Sequence, residues 1–84
     1  MSQRLAIPAP RAYAPEEIRA IRARFAWSQA KFADALNVSL ATVRHWEQGL
    51  RAPDGGHLRL LEIADRVPEA LRAVARSRDE IDGD

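Results

Sequence analysis

The chain has 84 residues, 46% of them hydrophobic and 30% charged, which is material for one small core and not for two. It contains no Cys, which excludes disulfides and thiolate zinc sites and fits a reducing compartment; no apolar run approaches the roughly 18 residues of a membrane span, and MSQRLAIPAPRAY lacks the apolar core of a secretory signal. The net charge of +1 hides an asymmetry: residues 1–59 hold nine Lys/Arg against five Asp/Glu, and residues 60–84 hold four Arg against seven Asp/Glu, a basic front suited to meeting a polyanion.

Pro8, Pro10 and Pro15 punctuate the start. Proline disfavours helix in the residue before it, so residues 1–14 are expected to form an extended lead-in or a flexible arm. Pro15 suits the first turn of a helix, where its missing N–H is not needed. Glu16 and Glu17 then lie at the positive end of the helix dipole. Ile18, Ile21 and Phe25 give this first helix an inward stripe. Ser28 is a good N-cap for a second helix, without a capping box because Lys31 stands at the third helical position. Phe32, Ala33 and Leu36 are its buried side. Asn37-Val38-Ser39 reads as a tight turn, with Asn37 able to take a left-handed conformation and Val38 tucked inward.

Ser39 caps a third helix, anchored inside by Val43 and Trp46 and closed by Gly49. Leu50 to Gly56 is expected to be a loop. Asp54 can cap the next helix, although Gly55 and Gly56 argue for a later start. Leu60, Ile63 and Val67 recur at spacings of three and four as the apolar face of a fourth helix, widened by Leu61 and Ala64. After Pro68, Leu71, Val74 and Ala75 line a short fifth helix, and residues 77–84 are expected to fray. The fold class predicted is all-α, with a domain over residues 15–76.

Two short helices joined by a tight polar turn hold one exposed helix rigidly enough to enter the major groove of DNA. With Val43 and Trp46 inward, Leu40, Ala41, Arg44 and His45 are the base-facing candidates. Leu40 and Ala41 form no side-chain hydrogen bond but can meet a thymine methyl, and the Arg44 fork can pair with guanine. Arg44 is the best base reader among them, with a phosphate contact and then a solvated surface as its other readings. His45 suits a phosphate contact or none, and Leu40 on its own would suit the core, although the inner phase of Val43 and Trp46 favours its partial exposure. Ser28 and Gln29 at the start of the second helix, Lys31, Thr42 and Arg51 are the phosphate-contacting candidates; Lys31 also suits a merely solvated surface. Glu47 is out of place on a DNA face unless paired. It is expected to bond internally, to a backbone group or an Arg such as Arg22, so that Val43, Trp46 and Glu47 together orient the helix. Trp27 is expected to staple the first two helices or to lie at a partner surface. Catalysis has no support: His45 and His57 lie twelve residues apart outside any metal-ligand pattern, and Gly55-Gly56 is explained by a turn. No cofactor and no metal are expected.

Ser28-Gln29, Phe32-Ala33, Val38-Ser39, Thr42-Val43 and Trp46-Glu47-Gln48-Gly49, followed by Arg51 and Pro53, resemble the Cro/CI-type (XRE) helix-turn-helix family from about Pro15 to Ala64, and more loosely to Leu71. Ile18-Arg19-Ala20-Ile21-Arg22, TVRHWEQGLRAPDG and LRLLEIADRVPEAL are most similar to HigA-type antitoxins within it. The resemblance implies a lambda-repressor-like compact bundle of about five helices. It also implies a small cytoplasmic protein that binds a palindromic operator on double-stranded DNA as a homodimer, represses its own operon and pairs with a RelE/ParE-fold toxin. It places Gln29 on phosphate and Leu40, Ala41, Arg44 and His45 toward the major groove, with apolar Leu40 and Ala41 departing from the polar readers of several relatives. The expected dimer seam uses Leu71, Val74 and Ala75, which alternatively complete a monomer's core. Two half-sites on one side of the duplex would lie about 34–36 Å apart. A stand-alone or prophage repressor, and a helical protein-interaction module indifferent to loss of Gln29, Arg44 and Arg51, are the alternative functions.

Overall fold

The computed structural model describes the backbone of residues 6–82 and the side chains of residues 6–76. Five helices follow one another: α1 (Pro15–Phe25), α2 (Gln29–Leu36), α3 (Leu40–Gln48), α4 (Gly55–Arg66) and α5 (Pro68–Asp82). The bounds of α5 thus take in most of the 77–84 stretch expected to fray.

Four of the five helix starts, those of α1 to α4, are capped locally. Ala14 has no side-chain acceptor, so Glu17 supplies the cap of α1 by reaching back to accept the Ala14 N–H at 2.8 Å. Ser28 and Ser39 accept the Lys31 and Thr42 backbone N–H groups, each at 3.1 Å. Asp54 accepts the His57 N–H at 3.0 Å. That cap starts α4 directly at Gly55, earlier than the two glycines suggested: a cap is worth about 1 kcal/mol and offsets much of the helical penalty of a glycine. The ends of α1, α2 and α3 turn through left-handed residues, Ala26 (φ 58°), Asn37 (φ 60°) and Gly49 (φ 77°). Asn and Gly adopt this conformation at modest strain, whereas an alanine does so less readily.

The core is built from Ile18, Ile21 and Phe25 of α1, Phe32, Ala33 and Leu36 of α2, Val43 and Trp46 of α3, Leu61 and Ala64 of α4, Leu71 of α5, and Tyr13 from the lead-in. α3 packs on α1 and α2, α4 on α1 and α5, and α5 closes against α2. Two features of this packing depart from the periodicity. In α4, Leu61 and Ala64 are fully buried, whereas Leu60, Ile63 and Val67 are 38%, 38% and 51% exposed. Two stripes of helical period coexist in α4, and the one containing the small Ala64 seats the helix on its neighbours. The lead-in is also tied down. The Tyr13 hydroxyl donates to Asp65 Oδ2 at 3.0 Å, and Arg59 donates to the Pro8 carbonyl at 2.7 Å. Residues 8–13 therefore bridge α4 and α1 as an extended strap.

Candidate nucleic-acid interface

The orientation of α3 decides what it can touch. Val43 and Trp46 are 0% and 2% exposed, and the Trp46 indole is flanked by the His57 ring at 5.5 Å between centroids. Packed on that side, the helix turns Ala41, Arg44 and Gln48 to solvent, with Leu40 and His45 half-buried at its margins.

Glu47 locks this orientation. Its carboxylate is 3% exposed and accepts two parallel hydrogen bonds from Arg22, Nε at 2.7 Å and Nη2 at 2.9 Å, and a third from the Gln29 side-chain amide at 3.0 Å. Arg22 also donates to the Trp27 carbonyl at 3.1 Å, and Arg19 donates to the Glu47 backbone carbonyl. Burial alone pushes the Glu47 carboxyl up, but the Arg22 guanidinium and the Gln29 amide outweigh it and hold the group below its ordinary range. One side chain thereby ties α1, the start of α2 and the end of α3 together. The amide of Gln29 has a second N–H to offer beyond the bond to Glu47.

The phosphate-contacting candidates fall in different settings. Ser28 is exposed at the cap of α2, beside Gln29 on the first turn. Lys31 is exposed, with its ammonium 5.7 Å from the centre of the Trp27 ring. Trp27 itself stacks on Phe25 at 4.6 Å, on the α1 side of the bend into α2. The Thr42 hydroxyl lies 2.8 Å from that of Ser39, so one donates to the other and the accepting hydroxyl keeps its own O–H to offer. Arg51 is exposed in the segment after α3.

The cations divide sharply. Arg11, Arg19, Arg22, Arg24, Arg59, Arg66 and Arg72 all donate to carboxylates or carbonyls of the chain itself. Among the described residues, Arg44, Arg51 and Arg76 make no side-chain hydrogen bond or ion pair, and all three are exposed. Arg44 and Arg51 sit on α3 and directly behind it, whereas Arg76 lies in α5. Gln48 shares this outward face, four residues after Arg44 and seven after Ala41, and is likewise unengaged. The sequence reading passed over Gln48, although its spacing from Ala41 and Arg44 carries the signal.

The three residues expected at a dimer seam separate. Leu71 is buried at 8% exposure in the core of its own chain, Ala75 is half-buried, and Val74 is 62% exposed. Among the described residues no cluster of His, Cys, Asp and Glu could hold a metal, and no helix is long and apolar enough to cross a membrane.

The family described as Helix-turn-helix matches residues 18–71, a span that begins in α1, contains the α2–turn–α3 unit and ends in α5. Antitoxin HigA-2 of Vibrio cholerae serotype O1 is 41% identical over 61 residues, covering 73% of this chain and 59% of that protein. The chain therefore spans less than two thirds of that relative's length. With a five-helix bundle, a capped tight turn and a third helix seated by valine and indole, the chain belongs to the Cro/CI-type helix-turn-helix family and is related to the HigA-2 antitoxin.

Proposed function

We propose that the chain is a sequence-specific double-stranded DNA-binding repressor that acts as a homodimer on a palindromic operator. The observation that carries this is the placement of two unengaged cations, Arg44 and Arg51, on and behind a helix whose rotation is fixed by Val43, Trp46 and Glu47. In this reading α3 enters the major groove, Arg44 reads a base, Gln48 extends the same face, and Gln29 and Arg51 grip phosphates on either side. Ser28, Lys31 and Thr42 are secondary phosphate contacts, and His45 flanks the readers.

A second copy supplies the other half-site. Its seam uses the apolar groups of α4, α5 and the bend between them that the monomer leaves uncovered, Leu60, Ile63, Val67 and Val74. Leu71 supports this surface from within.

The likeness to an antitoxin supports a cytoplasmic antitoxin role, with repression of its own operon and neutralisation of a RelE/ParE-fold toxin. Two measurements test the proposal. Footprinting on the chain's own promoter is expected to show two protected half-sites, and the product of the neighbouring gene is expected to co-purify and to inhibit translation when expressed alone. Absence of any protected duplex removes the DNA-binding role. A neighbour that neither binds nor poisons removes the antitoxin role and leaves a repressor.

A further inference from the structure

The polar side chains at the first turn of α3 are two short hydroxyls engaged with each other. Ser39 accepts the Thr42 N–H at 3.1 Å, and the two hydroxyls lie 2.8 Å apart, one donating to the other, which ties both to the helix start and leaves a single O–H between them. Between them the chain places Leu40, half-buried, and Ala41, exposed. The first unengaged polar group along the outward face is Arg44. The helix cannot roll to present other atoms, because Val43 and Trp46 are buried beneath it and Glu47 is held by Arg22 and Gln29.

An apolar surface pressed against a base edge discriminates in its own way. Adenine, guanine and cytosine present donors and acceptors in the major groove, whereas thymine adds a C5-methyl group. Leu40 and Ala41 against the polar edges strip water from groups they cannot rebond. Against a methyl group they bury apolar area on both sides.

We infer that Leu40 and Ala41 are specificity-determining residues that read a pyrimidine C5-methyl group in each half-site, thymine being its ordinary source and 5-methylcytosine the other. This rests on the DNA-binding reading above and adds to it the chemistry of the first contacted step. Arg44 lies about one helical turn further along, so the guanine it pairs with falls within about three base pairs of that methyl group.

The test uses the full chain and a duplex selected from a random pool by its affinity. Deoxyuridine, which lacks only the methyl group, replaces each thymine in turn, and 5-methylcytosine replaces each cytosine. One or two adjacent steps per half-site are expected to weaken binding by about three- to fivefold when a thymine methyl is removed, the burial of about one methyl group. Other thymines are expected to be silent. If the sensitive step is a cytosine that gains similarly on methylation, the methyl reading stands with the second source. Leu40→Ala is expected to lose the sensitivity at one step while keeping its helical circular dichroism and the salt dependence of binding. The comparison of thymine with deoxyuridine on the unaltered chain needs no variant at all. A specifically bound duplex indifferent to every methyl group overturns the inference and leaves the DNA-binding reading intact. Failure to select any duplex overturns both.

Discussion

Replacing Glu47 by Ala tests whether the clasp among α1, α2 and α3 holds the fold and the reading helix together. The change removes the acceptor of two Arg22 bonds and one Gln29 bond. It leaves a guanidinium only 23% exposed with its Trp27 carbonyl bond alone. Breaking one partner of a buried ion pair costs about 3–5 kcal/mol, and the partial exposure of Arg22 places this case near the lower bound, about 3 kcal/mol. At roughly 4–8 °C per kcal/mol for a domain of this size, the melting temperature should fall by about 12–24 °C. Thermal and urea unfolding followed by circular dichroism read this directly. The double variant Arg22→Met, Glu47→Leu removes both charges together and should recover at least half of the loss. A Glu47→Ala variant within about 0.5 kcal/mol of the parent, or a double variant as unstable as the single one, would refute the reasoning. The pair also sets a pH dependence. The Glu47 carboxyl is held below its ordinary value near 4.5 in the folded chain, so near that pH the unfolded chain binds more protons than the folded one. Stability from this group is complete above that value and is lost as the pH falls through the lower folded one, and Glu47→Gln should flatten that part of the acid limb.

Four further outcomes are expected. Arg44→Ala should relax preference at one base position by about 1–3 kcal/mol; an equal loss on all sequences would reassign Arg44 to phosphate. Arg51→Ala should weaken binding nearly uniformly and reduce the salt slope by about one, which titrations at several salt concentrations would show. Val74→Asp places a charge on a 62% exposed apolar position and should shift light scattering toward monomer without lowering the monomer's helix content; unchanged association would remove Val74 from the seam. Ala26→Gly should stabilise the fold by about 1 kcal/mol, because alanine holds φ 58° at the end of α1, and urea unfolding measures it.

What the sequence made legible followed from how many constraints met at one residue. Val43, Trp46 and Gly49 left a single phase for α3, and Asn37 marked the turn because few residues accept a left-handed backbone. Arg22 was nameable as a partner for Glu47 because a carboxylate on a DNA-facing helix needs a cation. The phase of α4 was not legible: Leu60-Ile63-Val67 and Leu58-Leu61-Ala64 share one period, and only tertiary contact with α1 and α5 selects between them. Tyr13 followed two prolines in a stretch with no helical period, and its hydroxyl is held by Asp65, which lies 52 residues away and has no local signature. Nothing about Ala26 announces its left-handed conformation, since the demand comes from packing Phe25 and Trp27 on each other across the bend.

The segment between α3 and α4 is anchored at both ends. The Leu50 N–H donates to the His45 carbonyl at 2.9 Å, Pro53 is buried, and Asp54 caps α4 while touching the His57 ring at 2.8 Å. Gly49 runs close beside Pro15 of α1, since a Cβ added there would lie 3.5 Å from the proline ring. Arg51 therefore rides on a short clamped span, and gripping a ligand would freeze little more than its own rotamers, up to about 2 kcal/mol of entropy. Loosening Pro53 or Asp54 would thus slacken the hold on a duplex from a distance, through residues that never meet it.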